Sequence, residues 1–415
     1  MVKETHVTLS LPKGMKQTEI GLIPEDWEVK KLGSLAFITK LAGFEYSKHF
    51  NSYKDGGEII VVRGTNITKN KLDLTETKYI PRKISDFLYR SKLSKGDLVF
   101  AYVGTIGPIY LVNENDRFHL GPNTAKIRIE DKNTDVNFIH NYFLSEFIRK
   151  EIDDRISVGA QPSLSMFKIR DFSIPLPPLA EQEAIAAALS DCDVWIESLE
   201  AVIAKKRLIK QGAMQKLLTP KEDWEVKKLG EVADIIGGGT PSTFVSKYWN
   251  GNIEWFTPTE VGYSKYLSSS RRKISYLGFK NASANLLPKN SILLTSRAGI
   301  GDLGILKIEA CTNQGFQSIV CKENIDFEFI YYLMSTKKDD LLRNASGSTF
   351  LEISPNKVKS LEIEIPSLSE QTRIATVLSD MDAELEALGQ KLNKARQIKQ
   401  GMMQELLTGR VRLIV

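Results

Sequence analysis

The feature that most constrains this chain is an internal repeat that spans nearly its whole length. The octapeptide DWEVKKLG occurs at residues 26–33 and again, unchanged, at residues 223–230. Residues 180–219 and 369–408 are also related, with identical residues at 21 of 40 aligned positions. Such self-similarity indicates that one structural unit has been duplicated. We therefore predict a globular domain, a long helix, a second globular domain and a second long helix, at residues 1–176, 177–220, 221–365 and 366–415.

The two long helices carry the spacing of a coiled coil. Their apolar residues recur at alternating steps of four and three, which is typical of a coiled-coil seam and narrower than the stripe of a globular surface helix. At about 1.5 Å per residue each helix would run about 60 Å, which is too long for packing on one small domain. The predicted seam residues are Ile185, Leu189, Ile196, Leu199, Ile203, Ile374, Leu378, Leu385, Leu388 and Leu392.

Charge predicts how these helices pair. Residues 181–200 carry six acidic and no basic side chains, whereas residues 201–219 carry five basic and no acidic ones. The second helix keeps this order, with Arg373 and Glu405 as exceptions. Antiparallel pairing sets each acidic half against the basic half of the other helix, and each half also complements its own helix dipole. The sequence therefore favours an antiparallel coiled coil with a pseudo-twofold repeat.

The globular segments mix short strand patterns such as EIIVVRG with turn-rich connections and one helix near Phe138 or Phe329. The runs are too short and the helices too few for a doubly wound parallel sheet, so the predicted fold class is α+β. Gly299, Gly301 and Gly304 spell GxGxxG, but the residues that follow alternate like a strand, where a dinucleotide site needs a helix. We interpret these glycines as tight turns.

The residue inventory gives little material for catalysis or metal binding. The three cysteines lack CxxC spacing, the four histidines include no i,i+4 pair, and a Walker A sequence is absent. Pro177 and Pro178 are flanked by leucines, whereas a DNA-amino-methylase tetrapeptide needs a polar residue and an aromatic one. We predict neither catalytic residues nor a metal site.

Composition is that of an ordinary globular protein. The 56 basic and 51 acidic side chains give a net charge of +5, which by itself does not indicate a nucleic-acid partner. No segment approaches the ~18 apolar residues of a membrane span. The N-terminus also lacks the apolar region of a signal peptide, so we expect a cytoplasmic location and no membrane partner.

Hydroxyl, amide, aromatic and basic side chains occupy comparable places in both globular segments. Such groups can bind base edges and phosphates, but they also furnish ordinary turns, and the sequence leaves both interpretations open. Lys168 and Lys357 match between the repeats, and each either contacts phosphate or lies in a solvated turn. The candidate DNA-binding residues are Tyr46, Lys48, Arg63, Thr65, Asn66, Tyr102, Thr105, Asn123, Gln161, Lys168, Thr240, Ser242, Tyr248, Trp249, Thr257, Thr259, Glu260, Arg297, Asn313, Gln314, Ser348 and Lys357.

A further motif, IKQGxMQxLLT, recurs near the end of both long helices. It is more residue-specific than a coiled-coil seam requires, which suggests two equivalent docking sites for a partner protein. The candidate docking residues are Gln211, Met214, Leu217, Leu218, Gln400, Met403, Leu406 and Leu407.

The paired DWEVKKLG motifs, the IPLPPLAEQ and IPSLSEQ segments, the stretch GTPSTFVSKYWNGNIEW and the long helices together resemble the specificity subunit of type I restriction-modification systems. The resemblance covers essentially the whole chain. It implies a subunit without catalysis of its own, whose two target recognition domains each bind one half-site of an asymmetric, bipartite double-stranded DNA target. It also implies that the helices fix the spacing between the half-sites.

The resemblance further implies partner subunits. Two adenine-methyltransferase subunits would bind this chain, and the full complex would add two ATP-dependent translocating nuclease subunits. S-adenosylmethionine, ATP and magnesium would be held by those partners, so this chain is expected to bind no cofactor.

Two other functions stay open at this point. A scaffold with two protein-binding domains on a coiled coil would give no sequence-specific DNA footprint. A self-sufficient DNA-modifying enzyme would show activity as the purified chain alone.

Overall fold

The computed structural model describes residues 13–43, 45, 56–68, 71–157, 162–297, 299–347 and 351–413. It divides into two compact units, Met1–Leu199 with Lys391–Val415, and Glu200–Gln390. Each unit thus combines one globular domain with part of both long helices. The four segments predicted from the sequence divide the chain differently, and their boundaries stay a prediction.

The first globular domain is built from short strands and helices. Its described strands are β1 (Met15–Thr18), β2 (Gly21–Pro24), β3 (Glu28–Lys31), β4 (Ala36–Lys40), β5 (Ile59–Val62), β6 (Ile67–Thr68), β7 (Lys71–Leu72), β8 (Lys78–Ile80), β9 (Leu98–Ala101), β10 (Ile109–Leu111), β11 (Phe118–Leu120), β12 (Thr124–Ile129) and β13 (Ser173–Leu176). Its described helices are α1 (Leu32–Leu35), α2 (Arg82–Phe87), α3 (Val136–Phe143), α4 (Glu146–Arg155) and α5 (Met166–Arg170). The larger sheets have the strand orders β10-β9-β12-β4 and β11-β5-β8. The first long helix, α6 (Leu179–Leu217), follows.

The second globular domain repeats this plan. Its described strands are β14 (Glu225–Lys228), β15 (Ala233–Gly237), β16 (Trp249–Phe256), β17 (Tyr266–Leu267), β18 (Arg272–Ile274), β19 (Ile292–Leu294), β20 (Leu303–Leu306), β21 (Ala310–Thr312), β22 (Gln317–Cys321) and β23 (Glu362–Ile365). Its described helices are α7 (Leu229–Val232), α8 (Tyr276–Asn281), α9 (Phe327–Thr336), α10 (Lys338–Asn344) and α11 (Pro355–Lys359). The larger sheets have the orders β15-β22-β19-β20-β17 and β18-β16-β21. The second long helix, α12 (Leu368–Leu406), follows.

The repeated octapeptide forms the same structure twice. Its EVKK residues become β3, which pairs antiparallel with β13, and β14, which pairs antiparallel with β23. The tryptophan before each strand, Trp27 or Trp224, is buried in the core of its unit. Because β13 and β23 lead directly into α6 and α12, the motif ties the start of each domain to the strand that precedes its long helix.

The ends of the long helices complete both globular cores. In the first unit Ile185 and Leu189 of α6 belong to the same apolar cluster as Leu406 of α12 and the adjacent Leu407. The second unit repeats this cluster with Met214, Leu217, Leu218, Ile374 and Leu378. The ten predicted seam residues divide into five buried ones, Ile185, Leu189, Ile203, Ile374 and Leu378, and five half-buried ones, Ile196, Leu199, Leu385, Leu388 and Leu392.

Ion pairs between α6 and α12 follow the predicted charge pattern within each unit. In the first, the Lys399 ammonium lies 2.6 Å from both carboxylate oxygens of Asp193. In the second, Lys206 lies 2.7 Å from Glu384, and Lys210 pairs with Asp382. The first unit also brings Cys192 Sγ within 3.4 Å of Met402 Sδ. Rising numbers in α6 thus meet falling numbers in α12 in both units, so the helices are antiparallel in each unit, as predicted.

The predicted α+β class is confirmed, including the helices at Phe138 (α3) and Phe329 (α9). The GxGxxG stretch is a turn, because Gly299 and Gly301 adopt φ angles of +119° and +93° and β20 follows in place of a helix. Among the described residues, no helix combines the length and apolar character that a membrane crossing requires.

Candidate nucleic-acid interface

Several loops of the second domain meet where candidate DNA-binding residues are densest. The Thr240 hydroxyl donates to Gln314 Oε1, which joins the loop after β15 to the loop before β22. A Cβ built on Gly315 would lie 2.7 Å from Pro258 and 3.4 Å from Arg297 Nε, so these two side chains approach the same point. We call residues 239–243, 257–260 and 313–315 together with Arg297 the second-domain loop cluster.

Glu260 gives the 257–260 loop its shape. The loop is a 3-10 helix at Pro258–Glu260, and the Thr257 N–H and hydroxyl donate to Glu260 Oε2 at 2.9 and 2.7 Å. The other carboxylate oxygen accepts the Arg271 N–H at 2.6 Å. Because both oxygens of Glu260 already accept hydrogen bonds, the exposed Thr259 is the side chain that this loop offers to solvent.

Two tryptophans hold the 239–243 loop. Trp249 Nε1–H donates to the Ser242 carbonyl at 3.1 Å, and Trp255 Nε1–H donates to the Gly239 carbonyl at 2.9 Å. Their rings meet edge to face at 5.1 Å. A Cβ at Gly239 would lie 2.1 Å from the Ala282 carbonyl, so only glycine fits there. Trp249, a candidate DNA contact, therefore also supports the loop.

The first domain builds the corresponding loop from different residues. Its 3-10 helix spans Gly64–Asn66, and the Arg63 N–H donates to Asn66 Oδ1 at 3.2 Å, in the way that Thr257 donates to Glu260. The Tyr102 N–H donates to the Asn123 carbonyl at 3.1 Å, which brings these two candidates beside this loop. Asn123 itself is exposed with φ of +64°.

Asn66 needs correction as a candidate base contact, and Arg63 contacts it. Asn66 is only 3% exposed, and its amide donates to the carbonyls of Asp73 and Glu76 at 3.1 and 2.9 Å. Arg63 Nε donates to Asn66 Oδ1 at 3.0 Å, and its Nη2 donates to the Glu76 carbonyl at 2.7 Å. Buried polar groups require such partners, so Asn66 holds the 66–76 loop instead of facing a ligand. Arg63 supports it but is half-buried, and its role as a base contact stays a prediction.

The two matched lysines differ in their surroundings. Lys168 Nζ donates to the Arg155 carbonyl at 2.6 Å and to Ser157 Oγ at 2.9 Å, so it ties α5 to the end of α4. Lys357 is exposed on α11. Of the two, Lys357 is therefore better placed to meet a phosphate.

Most other candidate residues are at least partly exposed. The exposed ones are Thr65, Thr105, Asn123, Thr240, Ser242, Thr259, Gln314 and Lys357. The half-buried ones are Tyr102, Tyr248, Trp249, Thr257, Arg297 and Asn313. Tyr46, Lys48, Gln161 and Ser348 lie outside the described residues, so their roles stay predictions.

The leucines of the IKQGxMQxLLT motif have an internal role. Leu218, Leu406 and Leu407 are buried in the domain cores, where a partner protein could not reach them, and Met214, Leu217 and Met403 pack against the same cores. We therefore correct Leu218, Leu406 and Leu407 from docking to core packing, whereas Met214, Leu217 and Met403 are half-buried and their docking role stays a prediction. Gln211 and Gln400 are exposed and stay candidates for docking.

Sequence reasoning missed an apolar face on α6. Trp195, Val202 and Ile209 follow one another at steps of seven, and each is more than two-fifths exposed. Heptad spacing places such residues on one side of a helix, and it could have been found by searching beyond the first seam. At the offset of 189, the equivalent sequence positions in α12 are Glu384, Lys391 and Ile398, so only the third is apolar in both helices.

Exposed aromatic residues beside the loop cluster were also missed. Phe244, directly after the 239–243 loop, is 98% exposed, and Tyr263, shortly after the 257–260 loop, is 86% exposed. Both aromatic side chains are therefore accessible to solvent beside loops that carry candidate DNA-binding residues.

The described residues provide no group of three or more His, Cys, Asp or Glu side chains that could hold a metal ion. Burial lowers the pKa of His119 to about 3 and that of His140 to about 4, so both imidazoles are neutral at pH 7. Burial also raises the pKa of the Cys311 thiol to about 11.

Comparison with known proteins identifies the family. The model of the type I restriction modification DNA specificity domain matches residues 24–206 and 221–397. A protein of Methanocaldococcus jannaschii named for the specificity subunit of type I restriction enzyme MjaX is 28% identical, over 97% of either chain. Two solved structures share the fold. One, from work on assembly and conformational transition of the type I R-M system, has a TM-score of 0.61 at 18% identity and covers 94% of this chain and 99% of its own.

The other solved structure is the type I restriction-modification S subunit of M. genitalium, with a TM-score of 0.60 at 16% identity over 96% of this chain and 98% of its own. The resemblance expected from the sequence is thereby confirmed. The two segments matched by the family model span most of this chain. The chain therefore belongs to the type I restriction-modification specificity family and is a specificity subunit with two target recognition domains.

Proposed function

We propose that this chain reads a bipartite, asymmetric double-stranded DNA sequence, with one half-site for each recognition domain. The observation that carries the proposal is the pair of equivalent loops at 63–66 and 257–260, which share one hydrogen-bonding geometry and one exposed threonine, Thr65 or Thr259. The exposed side chains beside these loops differ, with Asn123 in the first domain and Thr240 and Gln314 in the second. A common scaffold with different side chains around it suits two different base sequences, because base edges are read by side-chain donors and acceptors.

Methylation sequencing tests this proposal directly. Long-read sequencing of the source genome, with and without this chain, should show an asymmetric two-part adenine-methylation motif that disappears on deletion. An unchanged methylome in a strain that expresses an active methyltransferase partner would contradict the proposal. As a matched test, exchange of residues 26–176 for the first domain of another family member should alter only one half of the motif, and changes in both halves would exclude modular recognition.

We also infer that the long helices set the number of unread base pairs between the half-sites. Each spans 39 residues, or about 59 Å at about 1.5 Å per residue. One heptad inserted near residues 201–204, with a matching heptad in α12, adds about 10 Å, or about three base pairs at ~3.4 Å each. The motif should then keep both half-sites and gain about three unread base pairs, whereas an altered half-site would refute the inference.

The partner subunits complete the proposed function. We infer that two adenine-methyltransferase subunits bind the helices, and that two translocating nuclease subunits join the full complex. The exposed apolar face at Trp195, Val202 and Ile209 supports helix binding by a partner. S-adenosylmethionine, ATP and magnesium belong to those partners in this proposal, and this chain is a non-catalytic recognition subunit of a cytoplasmic complex. Methylation by the purified chain alone would overturn this division of roles.

A further inference from the structure

One edge of the second domain carries a concentration of positive charge. Lys247 lies in the 3-10 helix at Ser246–Tyr248, and Arg271 directly precedes β18. Arg272 and Lys273 lie in β18, and Lys280 lies in α8. All five side chains are exposed. We call these five residues the basic edge.

The arginines of the basic edge are held in place while their charge stays available. The Arg272 guanidinium stacks 3.6 Å from the centre of the Trp249 ring, a contact that restricts the side chain and leaves its N–H edges open to an anion. Lys273 is paired with Glu254 at 2.5 Å. Within the described part of the chain, no carboxylate oxygen lies within 4.0 Å of the charged nitrogens of Lys247, Arg271 or Lys280.

Two direct contacts join the basic edge to the second-domain loop cluster. Glu260 accepts the Arg271 N–H at 2.6 Å while its other oxygen shapes the 257–260 loop. Trp249 carries Arg272 on its face and donates to the Ser242 carbonyl of the 239–243 loop. The charges therefore lie beside the loops that are candidates for base recognition, where a DNA backbone would pass.

The first domain carries less net positive charge along the matching edge. Ile274 faces Ile253 in the second domain as Ile80 faces Ile59 in the first, which aligns β18 with β8 and α8 with α2. Arg271, Arg272, Lys273 and Lys280 then correspond to Thr77, Lys78, Tyr79 and Asp86. Over the aligned segments 271–280 and 77–86, the second domain carries four positive charges and no negative one, whereas the first carries three positive charges, Lys78, Arg82 and Lys83, and the negative Asp86. Of these, Arg82 lies 3.8 Å from Glu58, and Asp86 is paired with Lys92 at 2.8 Å.

We propose that the basic edge binds the phosphate backbone beside the second half-site, so that the two recognition domains contribute unequally to sequence-independent DNA affinity. The inference rests on the proposed function. Phosphate contacts fix the register of a protein on DNA and release counterions, whereas base contacts supply the sequence information. The second domain would then dominate the salt-dependent part of binding, and the first domain would depend more on its base contacts.

Salt-dependent binding tests the proposal in the complex with the methyltransferase partner. Each lost phosphate contact lowers the slope of log Kd against log salt by about 0.9, so R271Q/R272Q should lower it by about 1.8. From 50 to 200 mM salt, wild type should then lose about twelvefold more affinity than the variant. The reduction in slope caused by R271Q/R272Q should be the same on duplexes altered in either half-site. The variant R271K/R272K should keep the wild-type slope.

The repeat provides the controls. K78Q, at the matching position of the first domain, should change the slope less than R271Q/R272Q. K280D, which introduces the first domain's charge on the exposed face of α8, should lower the slope without touching the Trp249 stack. An unchanged slope in both R271Q/R272Q and K280D overturns the proposal. A reduction in slope that occurs only on duplexes with an intact second half-site overturns it as well. If wild type does not prefer its target to a scrambled duplex, the proposed function fails, although the slope difference can still be measured.

Discussion

Removal of Arg412 should destabilise the first unit far more than removal of its counterpart in the second. Arg412 follows α12 and binds two carboxylates. Its Nε and Nη2 lie 2.7 and 2.8 Å from the oxygens of Glu181, and its Nη1 and Nη2 lie 2.9 and 2.6 Å from those of Asp26. Glu181, in the first turn of α6, also accepts Trp27 Nε1–H at 3.1 Å. One side chain therefore joins the end of the chain to the first octapeptide and the first long helix.

The expected cost follows from burial. Glu181 is 4% exposed, so R412A leaves a buried carboxylate without a counter-charge, and removal of one partner of a buried pair costs about 3–5 kcal/mol. The Asp26 contact adds little, because Asp26 is 52% exposed and exposed pairs contribute about 0–1 kcal/mol. Since Arg412 is itself 26% exposed, we expect the lower end, about 3 kcal/mol of the free energy of unfolding of the first unit.

The second repeat offers a matched control in Lys221. It follows α6 as Arg412 follows α12, and it lies 2.5 Å from Glu370 in the first turn of α12. Lys221 is 51% exposed and Glu370 is 19% exposed, so water can replace the lost charge. K221A should cost about 1 kcal/mol or less.

Amide hydrogen exchange can measure both variants, because it reports each unit separately where one global unfolding curve would not. The protected amides of β3 and β13 report the first unit, and those of β14 and β23 report the second. The double variant R412A/E181Q should recover part of the loss, because it removes the unpaired charge. Equal costs for R412A and K221A, or no recovery in R412A/E181Q, would refute the reasoning.

Two further predictions concern buried polar groups. Lys265 donates to Glu328, Tyr332 and Ser379 at 3.1, 2.8 and 2.8 Å. Because K265M leaves these groups without their partner, it should lower the free energy of unfolding of the second unit by about 2–4 kcal/mol, measured by hydrogen exchange. Amide protection equal to that of wild type would contradict this prediction. His119 has a folded pKa of about 3, lowered by burial and then by the nearby lysine charges, against 6.5 when unfolded, so the unfolded state binds the extra proton as pH falls. The contribution of neutral His119 to the free energy of unfolding is fully present above pH 6.5, and it should fall by about 1.4 kcal/mol between pH 7.5 and 5.5. The variant H119N should lack this part of the pH dependence.

Periodicity and charge along the chain were sufficient to predict the helices and their pairing. The antiparallel direction follows from acidic and basic halves that are contiguous in sequence, and Lys399 with Asp193 forms the pair this pattern requires. The α+β class was likewise predictable from short strand patterns. These features depend on residues close together in sequence, whose period or charge is visible without the tertiary structure.

Roles that depend on distant contacts were not predictable in the same way. Asn66 has the composition of a base-reading residue, and only its contacts to the carbonyls of Asp73 and Glu76 show that it holds a loop. Leu406 and Leu407 lie in a repeated motif, which suggested docking, but they pack with Ile185 from a remote part of the sequence. Core packing also selects specific residues, so repetition of a motif does not by itself distinguish a buried contact from an exposed one.

Under the proposed function, the equivalent loops explain how one scaffold could serve two different half-sites. In both, the backbone N–H of the first residue, Arg63 or Thr257, donates to a side-chain oxygen three positions later, on Asn66 or Glu260. An amide and a carboxylate satisfy this requirement equally, because the loop needs only an acceptor oxygen at that position. The backbone therefore keeps its shape while the residues around it vary, and a change in recognised bases does not require a change in fold. Duplication could then provide two recognition domains whose loops diverged while the strands and helices that position them stayed alike.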